Sequence, residues 1–307
     1  MEPSHLPAGI HLRDTTSGRW PDPPVPTRAG IREASDVISR EGPVTPLIHS
    51  PQLSTQFGRN IHLKLESLSP VRSFKFRGAL IAMRHIAATE GPTSVVYTAS
   101  TGNHGQGVAH AGSLTGLHTI VYAPENAVEE KLQAMRDLGA DVRIHGAHLG
   151  ESQHKAEMEA DASGGVYLED GESADLMAGA STVLSEVLSS DLDLDTVVVP
   201  IGGGNLIAGS LLSRALDDSG VEIIGVQSTA ASAAVESWKL AGLVERSCDT
   251  FAGGLATTRP GNLALEVMVA YLERALLVDE ADLYDGIATL LPSCGVQVEG
   301  DAASVIA

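Results

Sequence analysis

The segment RSFKFRG, Arg72 to Gly78, sets Lys75 between two phenylalanines and flanks the trio with arginines. A lysine in that setting is either a solvated surface cation or an amine held against apolar groups. Only the neutral amine adds to a carbonyl, and partial desolvation favours the neutral form. Two glycine-bearing segments bear on the choice. In SVVYTASTGNHGQGVAHAG a strand is expected to end near Thr98 and a helix to begin near His104, with a turn of small residues between. In TVVVPIGGGNLIAGSLL the arrangement recurs, with a helix from about Leu206.

The first-turn amides of a helix have no intrahelical acceptor and point, with the helix dipole, at whatever sits above the turn. Each segment is therefore a candidate anion site, and Gly202, Gly203 and Gly204 let the backbone come close to an anion. Either loop alone also reads as a turn that merely lets a helix pack on a sheet. The second lacks both the GK[ST] ending of a nucleotide loop and the GxGxxG spacing, which argues against ATP and NAD. Together the two cradles fit a ligand with a phosphate at one end that meets a carboxylate at the other. Pyridoxal phosphate joined to an amino acid has that shape.

The surrounding elements must hold these loops. TSVVYTAS, HTIVYAP, DVRIHG and GVYLED are short β-branched runs separated by stretches of helical periodicity such as AVEEKLQAMRDLG. A second series follows: SADLMAGASTVLSEVLSS, TVVVP, LIAGSLLSRALDD, VEIIGVQ, then helices in ASAAVESWKLAG and NLALEVMVAYLERA. Strands alternating with helices predict parallel α/β layers, and two series predict two open-sheet lobes with a ligand cleft between them. Earlier, IREASDVISRE carries Ile31, Ala34, Val37 and Ile38 at helical spacing, and NIHLKLE reads as a short strand. Residues 15 to 29 hold four prolines within six positions and predict an extended arm.

With 39 acidic against 20 basic side chains, the net charge of −19 repels nucleic acid and anionic membrane surfaces. Cys248 and Cys294 are too far apart in sequence for a CxxC metal or redox site and too few for a disulfide framework, which fits a reducing cytoplasm. The first residues, MEPSHLPAGIHLRD, lack the basic and apolar regions of a secretory signal, and the longest charge-poor run is broken by proline and glycines. A soluble protein acting on a small molecule is expected.

With SFKFRGA, STGNHGQGVA and GGGNLIAG in that order, the chain resembles the fold type II pyridoxal phosphate enzymes, in the branch of threonine/serine dehydratases and serine racemase. The likeness extends from about Gly30 to the last residue through TPL, LKLE, GGLATTRPG and VEGDAA. It implies a large cofactor-binding domain from 30–91 plus 165–307, a small substrate-loop domain over 92–164, and an arm over 1–29. It implies that Lys75 is the Schiff-base lysine, that Phe74 packs on the cofactor ring, and that Asn103 bonds its phenolic oxygen. The phosphate would lie on Gly202, Gly203, Gly204, Asn205 and Leu206, with Gly254 on the other ring face and Glu299 nearby. Ser100, Thr101, Gly102, Asn103 and His104 would close on the substrate carboxylate. The implied reaction removes the β-hydroxyl of a serine- or threonine-like amino acid, giving a 2-keto acid and ammonia. Racemisation, β-replacement and cofactor binding without catalysis are the alternatives, and a homodimer is implied.

Four departures qualify the likeness. Asn205 stands where the usual cradle has a fourth glycine, a change that backbone-mediated phosphate binding tolerates. Gln227 stands where some relatives have a metal-binding glutamate, so no metal is expected there. Thr101 keeps a hydroxyl where racemases use serine as an acid on the second face and many dehydratases have alanine. The chain stops at Ala307, before the last strand that in relatives carries a ligand to the pyridine nitrogen, and Cys294 does not occupy the matching position. Elsewhere, His145, His148 and His154 read as surface residues, Glu169 and Asp170 as a solvated turn, and Arg72 and Arg77 as serving structure or solvent.

Overall fold

The computed structural model describes residues 25–307, so most of the proline-rich arm lies outside the described residues. The first helix, α1 (Arg28–Glu41), starts two residues inside the predicted arm, with the Thr27 hydroxyl accepting from the Gly30 amide. It buries Ile31, Ala34, Val37 and Ile38, the stripe that its spacing predicts. The chain continues through β1 (Leu47–His49), α2 (Pro51–Phe57), β2 (His62–Lys64), α3 (Lys75–Thr89), β3 (Val95–Ala99), α4 (Asn103–Thr115), β4 (His118–Ala123) and α5 (Glu129–Asp137). Next come β5 (Asp141–Ile144), α6 (Leu149–Ser163), β6 (Val166–Tyr167), α7 (Ala174–Leu188), β7 (Thr196–Pro200), α8 (Asn205–Leu216) and β8 (Glu222–Ser228). The last elements are α9 (Ala233–Leu240), α10 (Asn262–Tyr271), β9 (Arg274–Val278), α11 (Glu280–Cys294) and α12 (Gly300–Ala303).

Two parallel sheets carry the fold, in the orders β5-β4-β3-β6 and β7-β8-β9. A two-stranded antiparallel ribbon joins β1 to β2, pairing Leu47 with Lys64. The central strands read as near-continuous apolar runs because helices cover both faces: in β8 every residue from Ile223 to Ser228 is buried. The edges β7 and β9 are barer, with Val198, Leu276 and Leu277 exposed.

Lys75 is the first residue of α3, and α3 is wedged between α4 and α7. A Cβ on Gly107 of α4 would lie 2.9 Å from the Lys75 carbonyl oxygen, and one on Gly179 of α7 would lie 2.5 Å from that of Arg77. Such close backbone approach on both sides fixes where the lysine emerges.

Candidate active site

A cavity opens at the start of α3, lined by Phe74, Lys75, Asn103, Gly202, Gly203, Gly204, Asn205, Leu206 and Gly254, with Asp301 also on its wall. The two phenylalanines diverge: Phe74 lines the cavity, and its ring centroid is 5.3 Å from Lys75 Nζ. Phe76 is 1% exposed and packs with Ala79, Leu80 and Met83.

The Gly202–Gly204 loop is drawn tight against its neighbours. A Cβ on Gly202 would fall 2.1 Å from the Gly254 carbonyl oxygen. Gly204 sits at φ +102, where a Cβ would meet Ala264 at 2.7 Å. The helix begins at Asn205, so its first-turn amides have no carbonyl one turn earlier within the helix to bind. Buried polar atoms without partners gather here, namely Asn205 Oδ1, Asp301 Oδ1 and, beside Gly203, Thr257 Oγ1. The free first-turn amides and the Thr257 hydroxyl are donors over bare backbone and fit a phosphate-bearing ligand, whereas Asn205 Oδ1 and Asp301 Oδ1 are acceptors that would face other groups of that ligand.

The residues of the 100–104 loop differ in placement. Ser100 is buried, and its hydroxyl accepts from the amides of Gly102 and Gly105, so it shapes the turn that starts α4. Thr101 is exposed and does not line the cavity. Asn103 lines it while donating to Glu299 Oε2 at 2.7 Å, and Glu299 Oε1 accepts from Lys131 Nζ at 2.8 Å. Burial disfavours the Glu299 charge, but the bonds from Lys131 and Asn103 outweigh it and hold the carboxyl below its ordinary range. His104 is 5% exposed, and burial, opposed by Asp170 and aided by Lys75, keeps its imidazole neutral.

Asp170 departs from its reading as a solvated turn. Its Oδ2 lies 2.5 Å from Lys75 Nζ, and its Oδ1 accepts from Asn205 Nδ2 at 3.0 Å. Burial opposes its charge, yet Lys75, His104 and the two hydrogen bonds hold its carboxyl at about 2. The turn it ends is local, whereas its partner is 95 residues away, so composition gave no signal. Asp301 and Lys131 also escaped sequence reasoning. Burial and then Glu299 push the Asp301 carboxyl up, toward its neutral form. Lys131 reaches over the loop, its Nζ 3.3 Å from where a Cβ on Gly102 would stand.

Other expectations fall outside the cavity. Cys294 closes α11 and donates its thiol to Ser50 Oγ. Gln227 is fully buried and accepts from the Val235 amide. Among the described residues no group of three or more His, Cys, Asp or Glu stands ready for a metal, and no helix is long and apolar enough to cross a membrane.

The chain is similar to known proteins. L-threonine ammonia-lyase of Thermotoga maritima is 33% identical over 283 residues, 92% of this chain and 70% of that protein. Among solved structures, a pyridoxal 5'-phosphate-dependent aspartate racemase superposes with a TM-score of 0.86 at 25% identity, covering 94% of this chain and 91% of that one. Maize serine racemase follows with 0.85 at 26%, covering 92% and 87%. The family profile described as pyridoxal-phosphate dependent enzyme matches residues 38–307, which take in the lysine, both glycine loops and the cavity between them. The chain belongs to the pyridoxal-phosphate dependent enzyme family.

Proposed function

We propose that this chain is a pyridoxal-phosphate-dependent ammonia-lyase that removes the β-hydroxyl of a serine- or threonine-like amino acid, yielding a 2-keto acid and ammonia. The observation that carries this reading is a single amine, Lys75 Nζ, in a cavity with a bare glycine loop and helix N-terminus on one side and Asn103 on the other. The sequence likeness to an enzyme named L-threonine ammonia-lyase supports the choice of reaction.

In this reading the amides of Gly203, Gly204, Asn205 and Leu206 hold the phosphate, and Phe74 packs against the ring. When bound, pyridoxal phosphate supplies the electron sink that makes the substrate Cα acidic. Lys75, once its amine is free, takes the Cα proton as general base. The start of α4, with Gly102 and Asn103, receives the substrate carboxylate. Wedging of α3 between α4 and α7 fixes the amine for this step, which is positioning that the protein alone provides.

A second reading, racemisation, is favoured by racemases among the structural relatives and by the exposed hydroxyl of Thr101. It requires Thr101 to act on the face opposite Lys75, a move of the exposed loop. Incubating the purified chain with serine, threonine and 3-substituted serines separates the readings: keto acid release supports the lyase, enantiomer formation the racemase. Tight cofactor binding with no turnover on that panel rejects both. A visible absorbance band with added pyridoxal phosphate, lost in Lys75→Ala, is expected in either case. We further assign the protein to the cytoplasm as a homodimer, the first on two well-separated thiols and the second on family likeness; light scattering of the purified chain tests the dimer.

A further inference from the structure

Lys75 meets the Asp170 carboxylate, and three other elements govern that contact. Asp170 Oδ1 is held by Asn205 at the start of α8, and His104 Nδ1, from α4, faces the same oxygen at 3.8 Å. The tautomer of His104 follows from its other nitrogen. Thr98 Oγ1 gives its one proton to the Leu168 carbonyl at 2.7 Å, so toward His104 Nε2, at 3.0 Å, it can only accept. His104 Nδ1 is then a bare lone pair, buried and without a hydrogen-bond partner. It confronts a carboxylate that has already committed its other oxygen to Lys75. Asp301 also lines the cavity and Phe74 lies beside the amine, and Asp170 is the charged group that Nζ contacts. Asn205, the residue that replaces a cradle glycine, thereby gains a function that glycine could not serve, because its amide nitrogen aims Asp170 at the lysine.

We propose that Asp170 is the positioning residue of Lys75, orienting Nζ in the cavity, with Asn205 holding Asp170 in place. The inference rests on the reading of Lys75 as the base. In the step concerned the Nζ lone pair takes the Cα proton, the C–H electron pair stays with the substrate, and the resulting ammonium lies against a carboxylate. The Asp170 carboxylate engages the amine before cofactor arrives, which gives a readout that needs no turnover.

The test uses the full chain without added pyridoxal phosphate. Lys75 acylation by acetic anhydride at pH 7.5 is followed by peptide mass spectrometry, with exposed Lys239 as internal reference. Asp170→Asn is expected to acylate Lys75 at least fivefold faster, Asn205→Gly about two- to threefold faster, and the double variant no faster than Asp170→Asn alone. Asp170→Glu should restore the slow rate. Equal rates in the parent and Asp170→Asn, or an Asn205→Gly effect that adds fully to that of Asp170→Asn, overturns the proposal. With an active substrate in hand, Asp170→Asn should lower kcat about a hundredfold and leave KM nearly unchanged; a loss confined to KM also overturns it. Absence of any turnover in the parent defeats the lyase reading and leaves the acylation result to judge Asp170 by itself.

Discussion

Arg77, two residues beyond Lys75, grips Glu186 of α7 with both terminal nitrogens, Nη1 to Oε1 at 2.6 Å and Nη2 to Oε2 at 2.9 Å. The same guanidinium donates to both oxygens of Glu66 at 2.9 Å, and only 1% of Arg77 is exposed. Burial opposes its charge, but the bonds to Glu186 and Glu66 outweigh that cost and push its pKa above the ordinary arginine value. Removing one partner of such a cluster strands the others, which costs about 3–5 kcal/mol. Arg77→Ala should therefore lower the stability of the cofactor-free protein by that amount in urea unfolding. Arg77→Met with Glu186→Leu should recover part of it. A drop of less than about 1 kcal/mol for Arg77→Ala would show that water reaches the two carboxylates.

The two phenylalanines flanking Lys75 should separate stability from cofactor binding. Phe76 is buried among Ala79, Leu80, Met83 and Val108, so truncation leaves a cavity in the core. Phe76→Ala should cost about 3–5 kcal/mol of unfolding free energy. Phe74 is half-buried on the cavity wall, and Phe74→Ala should leave the urea midpoint almost unchanged while weakening pyridoxal phosphate binding about tenfold, read by fluorescence titration. Equal effects of the two on stability would mean that the rings share one environment.

The parts legible in the sequence are those written in contiguous backbone. The strand-to-helix glycine loops and the two α/β series are local patterns that form elements close to those predicted, although the helix predicted through NLALEVMVAYLERA ends at Tyr271 and its last two residues open the unpredicted strand β9. Illegible were the partners that arrive from elsewhere. The turn containing Asp170 has the polar composition of any surface turn, and nothing local reveals that β6 and α8 deliver it to the amine. Arg77 reads from sequence as serving structure or solvent, and its burial between Glu66 and Glu186 depends on α7, far away in the chain. Lys131 sits on a helix whose existence was evident and whose orientation over the 100–104 loop was not. Ser100 and Thr101 show the converse: the motif is local, but whether a hydroxyl points into a turn or into solvent is decided by tertiary placement.

Acid pH should destabilise the protein in two separable steps. His104 is kept neutral in the fold, by burial first, whereas the unfolded imidazole protonates below its ordinary 6.5. The unfolded state therefore binds the extra proton, and His104's contribution is complete above pH 6.5 and declines as pH falls below it. Asp170, held at about 2 against an ordinary 3.8, contributes stability that is complete above 3.8 and is lost as pH falls toward 2. Its side chain is 36% exposed, so solvent screening limits that contribution to about 1 kcal/mol. The net charge of −19 works the other way, since protonation relieves self-repulsion. Each step is therefore read as a difference between variant and parent in thermal midpoint from pH 3 to 8. His104→Gln should remove the step below 6.5, and Asp170→Asn the one below 4. An Asp170→Asn curve that parallels the parent through pH 3 would place the carboxylate outside the ion pair.

Glu299 joins three segments that sequence separates widely. Its carboxylate accepts from Asn103 at 2.7 Å and from Lys131 at 2.8 Å, tying the first residue of α4 and the first turn of α5 to the chain entering α12. Both partners donate, so an acceptor is required at each oxygen. Glu299→Gln keeps the shape but turns an NH2 group toward one of those donors and removes the charge that Lys131 faces. The start of α4 and the loop before it should then open more often. Amide hydrogen exchange over residues 102 to 106 is expected to quicken about tenfold, with that in β8, remote from this contact, unchanged. Lys131→Met should give a smaller increase in the same peptide, because Asn103 still bonds Glu299. Unchanged exchange in Glu299→Gln would mean that the packing of α4 on α3, enforced at Gly107, holds the loop without help from the carboxylate.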